Sequence, residues 1–192
     1  MTDILQEDST PRPQAHPAPP RPATARLRFW PALKAGFLPI PVFAIAFAAL
    51  VPVHALWLEQ PVSARIVVAS LIFFAGGLAG GGFAWIVTAL LARGRAWSAR
   101  FSLALIANAV SVPPATAFLF FLQYRTYYAQ WHEEPFTTVW FWQIAFTGAT
   151  ALYLFAVSAV KYIFPLGLPL LFGVAAIAAR RIGNQDLGRR QT

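Results

Sequence analysis

The sequence predicts an all-α fold, a polytopic bundle of transmembrane helices. Hydrophobic residues make up 58% of the chain and charged residues only 11%, whereas about a quarter of a soluble domain is charged. Long apolar stretches cover residues 35–58, 64–91, 101–124 and 138–179, and all seven carboxylates lie outside them. As a helix, an apolar run of about 20 residues crosses the ~30 Å hydrocarbon core with every backbone amide satisfied internally. We expect four full spans plus a re-entrant or interfacial C-terminal segment, with five spans as the alternative.

The chain divides into a tail, a bundle and a second tail. Residues 1–28 contain six prolines between positions 11 and 22, a composition that predicts a disordered cytoplasmic segment. Arg26 and Arg28 then mark the entry to the membrane, where cations meet lipid phosphates. The bundle is predicted over residues 29–182, and residues 183–192 form a cytoplasmic C-terminal tail.

The second span has a face of small residues, made of Gly76, Gly77, Gly80, Gly81 and Ala84. At 100° per residue these positions lie on one side of the helix. Missing side chains let two backbones approach closely, which is how helices associate in lipid that is as apolar as they are. The face therefore predicts a close helix crossing, either within the chain or with another copy or partner.

The third span combines polar residues with a break in helical hydrogen bonding. Asn108 and Ser111 share one face, and Pro113 and Pro114 follow. Proline has no N–H to donate, so the pair predicts a kink and leaves carbonyl oxygens of the preceding turn without their helical partners.

The fourth span has a polar stripe, which consists of Gln143, Thr147, Thr150, Ser158 and Lys161. Polar groups at membrane depth need partners, so this stripe is predicted to face the bundle interior. One interpretation is helix packing, with Asn108 bonded to Gln143 across two helices. The other is a polar lining for a small solute.

The last apolar stretch is too long for one crossing. About 42 residues give a helix of ~63 Å, twice the thickness of the bilayer core. A span that ends near residue 160 would put Lys161 at the inner interface, where its ammonium group can reach phosphates. Pro165 and Pro169 then interrupt the helix, so residues 162–179 are expected to form the re-entrant or interfacial segment.

The basic residues predict the orientation. With both termini inside, thirteen of the fifteen Lys and Arg lie on the cytoplasmic side and two, Arg65 and Arg125, lie outside. Such an asymmetry is typical of membrane proteins. The residues expected to contact anionic lipid head groups and fix this orientation are Arg26, Arg28, Arg93, Arg95, Arg100, Arg180 and Arg181. Abundant Arg, Ala, Pro and Gly suggest a bacterial gene, hence the bacterial inner membrane.

Several chemistries have no support in the sequence. There is no cysteine, no phosphate-binding glycine loop and no nucleophile-elbow motif. His54, His132 and the nearby glutamates lack the spacing of a metal site. We therefore predict no catalytic residues, no metal and no cofactor.

The function predicted is that of a non-enzymatic accessory or scaffolding subunit of an inner-membrane complex. The alternative is a small-solute permease or channel, without strong ion coupling because its spans hold no carboxylate. The expected partners are membrane lipids with anionic head groups and a membrane protein or a second copy of the chain. The positive charge lies beside the spans, so nucleic acid is not expected.

Overall fold

The computed structural model describes residues 34, 36, 38–59, 61, 63–164 and 166–188, with side chains up to Asn184. Within these residues the chain has no β-strand. Its helices are α1 (Pro39–Trp57), α2 (Ala64–Leu91), α3 (Trp97–Tyr128), α4 (Thr138–Ile163) and α5 (Gly167–Gly188), with a 3₁₀ turn at Ala129–Trp131. The helices α1 to α4 are long and apolar enough to cross a membrane. The predicted fold class, four such helices and a further C-terminal segment, is confirmed.

The ends of the helices follow from local sequence. Pro39 stands in the first turn of α1, where the missing N–H costs nothing because first-turn donors have no helical partner. Gly94 takes a φ of 67° in the loop between α2 and α3, a left-handed conformation that favours glycine. Thr137 caps α4, because its hydroxyl oxygen accepts the N–H of Trp140 at 3.1 Å.

The core lies where α2 packs between α1 and α3. Phe43 and Phe47 of α1 stack at 5.8 Å between ring centroids, and Phe47 stacks on Phe73 of α2 at 5.0 Å. The same buried cluster includes Leu50 and Val51 of α1, Val112 of α3 and Val174 of α5. In a membrane such packing holds helices together by dispersion contacts, because lipid tails compete equally for apolar surface.

The last helix, α5, packs lengthwise on α3 instead of lying at one surface. Its start is beside Leu50 of α1, since a Cβ at Gly167 would lie 3.5 Å from the Leu50 side chain. Near its end, Gly183 packs on the guanidinium of Arg100 at the start of α3. The predicted interfacial or re-entrant segment is thus a helix that begins midway along the bundle and runs to the loop between α2 and α3. It continues to Gly188, so the predicted boundary at residue 182 falls inside it.

The direction of α4 differs from the prediction. Gly148 lies against the ring of Phe121, and the ring of Phe155 lies 6.0 Å from that of Phe120. Two positions two turns apart on α4 thus contact adjacent residues of α3, which indicates that α4 runs obliquely to α3. The end of α4 then reaches the last turns of α1, where the ring of Tyr162 lies 5.2 Å from that of His54. The prediction that Lys161 reaches the inner interface was therefore wrong. It lies toward the end of the bundle where α1 ends and α2 begins.

Candidate functional site

The glycine face of α2 contacts two neighbouring helices of the same chain. Gly76 and Gly80 contact α3, whereas Gly77 and Gly81 contact α1. The contacts are Gly76 with Thr116, Gly80 with Ser111 and Val112, Gly77 with Ala44 and Phe47, and Gly81 with Phe43. A Cβ at Gly80 would lie 2.6 Å from the Cα of Val112, so the two backbones touch. Ala84 on the same face is fully buried. The glycine face was predicted to form a close crossing either within the chain or with another copy or partner, and these contacts match the crossing within the chain.

Asn108, the predicted partner of Gln143, is satisfied on its own helix. Its side chain is 4% exposed, and its Nδ2 donates to the carbonyl of Ala104 at 2.8 Å. The cavity beside it, which Trp85 and Thr88 also line, holds about 10 Å³. A single water needs at least ~10–15 Å³ of such volume, so this space has no room for a hydrated solute. The predicted bond between Asn108 and Gln143 is not formed.

Ser111 lies against Gly80 of α2, and Pro113 lies close to the start of α5. α3 continues through Pro113, which is half-buried, and Pro114, which is exposed. Pro113 lines a cavity of about 50 Å³ with Asn108, Gly167 and leucines of α5. This cavity is small and almost entirely apolar, unlike the polar lining that the small-solute interpretation required.

The polar stripe of α4 does not face the bundle interior, contrary to the prediction. The buried residues of α4 are Ala151, Phe155 and Ala159, about 100° around the helix from the centre of the stripe. Thr150 and Lys161 are exposed, and Ser158 is half-buried. The side of α4 with small and aromatic residues is buried because these residues pack against the phenylalanines of α3. Lipid is as apolar as the protein interior, so the hydrophobic effect does not decide which side of α4 faces the bundle.

The first two residues of the stripe fasten α4 to the loop that precedes it. Gln143 Oε1 accepts the backbone N–H of Glu133 at 2.9 Å, and His132 Nε2 lies 3.3 Å from Thr147 Oγ1. These bonds fold residues 132–137 back onto the first turns of α4. Aromatic rings are packed around the same end of the bundle, as expected of a membrane-interface belt, and include Tyr124, Tyr127, Tyr128, Trp131 and Trp140.

The opposite end of the bundle is basic. Arg93, Arg95 and Arg100 flank the loop between α2 and α3, and Arg180 and Arg181 lie near the end of α5. The contact of Arg100 with Gly183 brings these two groups of arginines to one end. Arg26 and Arg28, the other predicted lipid-contacting residues, lie outside the described residues.

A larger crevice, which no motif in the sequence indicated, opens between α2, α3 and α4. Its volume is about 550 Å³, within the ~300–1,000 Å³ of typical ligand sites. It is lined by Pro61, Ser63, Arg65, Ile66, Ala69, Ile72, Phe73, Phe120, Phe155, Ser158, Ala159 and Tyr162. Its lining comes from three helices and from the residues before α2, so no pattern within one helix indicates it. His, Asp and Glu of the described residues form no cluster of three that could hold a metal ion.

Comparisons with protein-family models, with curated proteins and with solved structures found no match to this chain. The fold and the composition of its helices define the chain as a multi-pass integral membrane protein.

Proposed function

We propose that this membrane protein is a non-enzymatic accessory or scaffolding subunit of a complex in the bacterial inner membrane. The observation that carries the proposal is the outward position of polar residues on α4. Thr150 and Lys161 belong to an apolar helix yet lie on the outside of the bundle. Polar groups exposed at membrane depth are costly unless they find partners or reach the interface. A neighbouring protein would supply such partners.

The side of α4 opposite its buried residues has the spacing of a helix-packing surface. It consists of Phe146, Thr150, Tyr153, Val157 and Val160, all exposed, at steps of 4, 3, 4 and 3. That alternation keeps side chains on one line of a helix that packs against another, as in most transmembrane bundles. We call these five residues the outward α4 face.

The permease alternative has less support. A solute route through the bundle would need connected polar groups and space for water. Asn108 is bonded to its own helix beside a cavity of about 10 Å³, and Gln143 and Thr147 are bonded at the aromatic end. The polar residues that suggested a route are therefore separated from one another.

The proposed orientation places the N-terminus and the basic end of the bundle in the cytoplasm. With Lys161 no longer counted at the cytoplasmic end, twelve of the fifteen Lys and Arg remain inside, against Arg65 and Arg125 outside. The asymmetry still follows the positive-inside rule.

The test is purification of the tagged chain from its native membrane, with the mass and stoichiometry of any co-purifying subunit. Thr150→Trp would put a bulky ring on the outward α4 face. Overpacking costs about 1–3 kcal/mol, so recovery of the partner should fall about tenfold. Ala79→Trp adds the same ring at an exposed position of α2 and should leave recovery unchanged. A chain that purifies alone, or equal recovery with both variants, would contradict the proposal.

A further inference from the structure

The crevice between α2, α3 and α4 is not explained by a scaffolding role. Scaffolding needs only packed helices, yet here α4 leaves about 550 Å³ open beside α2. Two ring contacts bound the space: Phe73 lies 5.8 Å from Tyr162, and Phe120 lies 6.0 Å from Phe155. The opening is thus framed by aromatic residues at membrane depth, and its chemistry indicates what would occupy it.

The lining changes from polar to apolar along α2. Ser63 and Arg65 lie at the start of this helix, and both are exposed. Ile66, Ala69 and Phe73 follow on the crevice side. From the start of α2 to Phe73 is nine residues, or about 13 Å along the helix axis, close to the ~15 Å of hydrocarbon in one leaflet. A molecule that fits this lining has a polar head and an apolar chain one leaflet long.

The polar end favours an anion. Arg65 makes no ion pair with any carboxylate among the residues that the structure describes. It stands in the first turn of α2, where unpaired backbone N–H groups add positive potential. The hydroxyl group of Ser63, the residue just before α2, lines the same end of the crevice. Guanidinium and hydroxyl donors together suit a phosphate oxygen.

We propose that this crevice binds one membrane phospholipid with an anionic head group. Its phosphate contacts Arg65, and one acyl chain lies against Ile66, Ala69, Ile72 and the phenylalanines. A transmembrane helix would run along the ~30 Å of the bilayer core, whereas the residues of α2 that line the crevice end at Phe73, about 13 Å from the start of α2. The proposal is argued from different residues than the scaffolding role, since it concerns the side of α4 that faces α2.

The test uses the full chain in nanodiscs of phosphatidylcholine that contain a minor share of phosphatidylglycerol, followed by native mass spectrometry of retained lipid. We expect one phosphatidylglycerol to stay bound in preference to phosphatidylcholine. Arg65→Gln should lower that preference about fivefold, as expected for one charge at the membrane surface. Arg125→Gln removes another exposed arginine of the chain and should not change it.

A second variant tests the apolar part of the crevice. Ala69→Trp places a ring where the acyl chain would lie, so retention of the lipid should be lost, whereas Ala79→Trp on the same helix should retain it. Unchanged helicity and melting temperature check the fold of each variant. Equal effects of Arg65→Gln and Arg125→Gln, or full retention by Ala69→Trp, would overturn the proposal.

Discussion

Gly80 and Gly82 provide a direct test of the packing between α2 and α3. Both are glycines of one helix, two residues apart, and Gly→Ala adds one methyl group at either position. At Gly80 the new Cβ would lie 2.6 Å from the Cα of Val112 and 2.7 Å from the carbonyl oxygen of Ser111. At Gly82 it would meet no atom within 4 Å.

The expected magnitude follows from these distances. Carbon atoms in contact are normally ~3.5–4.0 Å apart, so Gly80→Ala has to move the backbones of α2 and α3 about 1 Å apart. Overpacking of this kind costs about 1–3 kcal/mol. Alanine also favours a helix over glycine by up to ~1 kcal/mol, but this term is common to both variants. We therefore expect Gly80→Ala to be less stable than Gly82→Ala by about 1–3 kcal/mol.

The assay is reversible unfolding of the purified chain in mixed micelles, with helicity as the signal. Gly82→Ala should match the parent chain or exceed it slightly. Gly81→Ala should fall between the two, because its neighbour at 3.0 Å is the ring of Phe43, a side chain that can rotate away. Equal stability of Gly80→Ala and Gly82→Ala would refute the close crossing of α2 and α3.

Two further predictions concern the path of the chain. Because the sequence has no cysteine, the double variant His54→Cys, Tyr162→Cys should cross-link with a short bifunctional reagent, whereas Trp97→Cys, Tyr162→Cys should not. The reverse result would place the end of α4 at the basic side. Reporter fusions after Arg95 and Gln130 should read cytoplasmic and external, from the distribution of Lys and Arg, and the opposite readings would invert the proposed orientation.

The sequence was sufficient for features that depend on one helix at a time. The four long helices follow from apolar length, since a helix is the structure that satisfies its own backbone in lipid. The glycine face follows from periodicity, which groups Gly76 with Gly80 and Gly77 with Gly81 and leaves Gly82 off the face. Both features are properties of residues a few positions apart.

The position of α4 depended on contacts that no local pattern encodes. Its polar stripe was expected inside, yet Ala151, Phe155 and Ala159 are the buried residues. In a soluble protein, the apolar side of a helix is the side that faces the core. Lipid and protein interior are equally apolar, so the pattern of polar and apolar residues on α4 does not predict which side faces the bundle. The crevice was missed because its lining comes from three helices and from the residues before α2.

The arrangement around α4 links the two proposals. This helix buries few side chains, and Gln143 and Thr147 bond its first turns to the loop before it. Its remaining sides are the outward α4 face and the crevice. Few buried contacts mean low local stability, so a helix held in this way depends on what covers its other sides. A protein on one side and a lipid on the other would each favour the observed position of α4, so each should bind more tightly when the other is present.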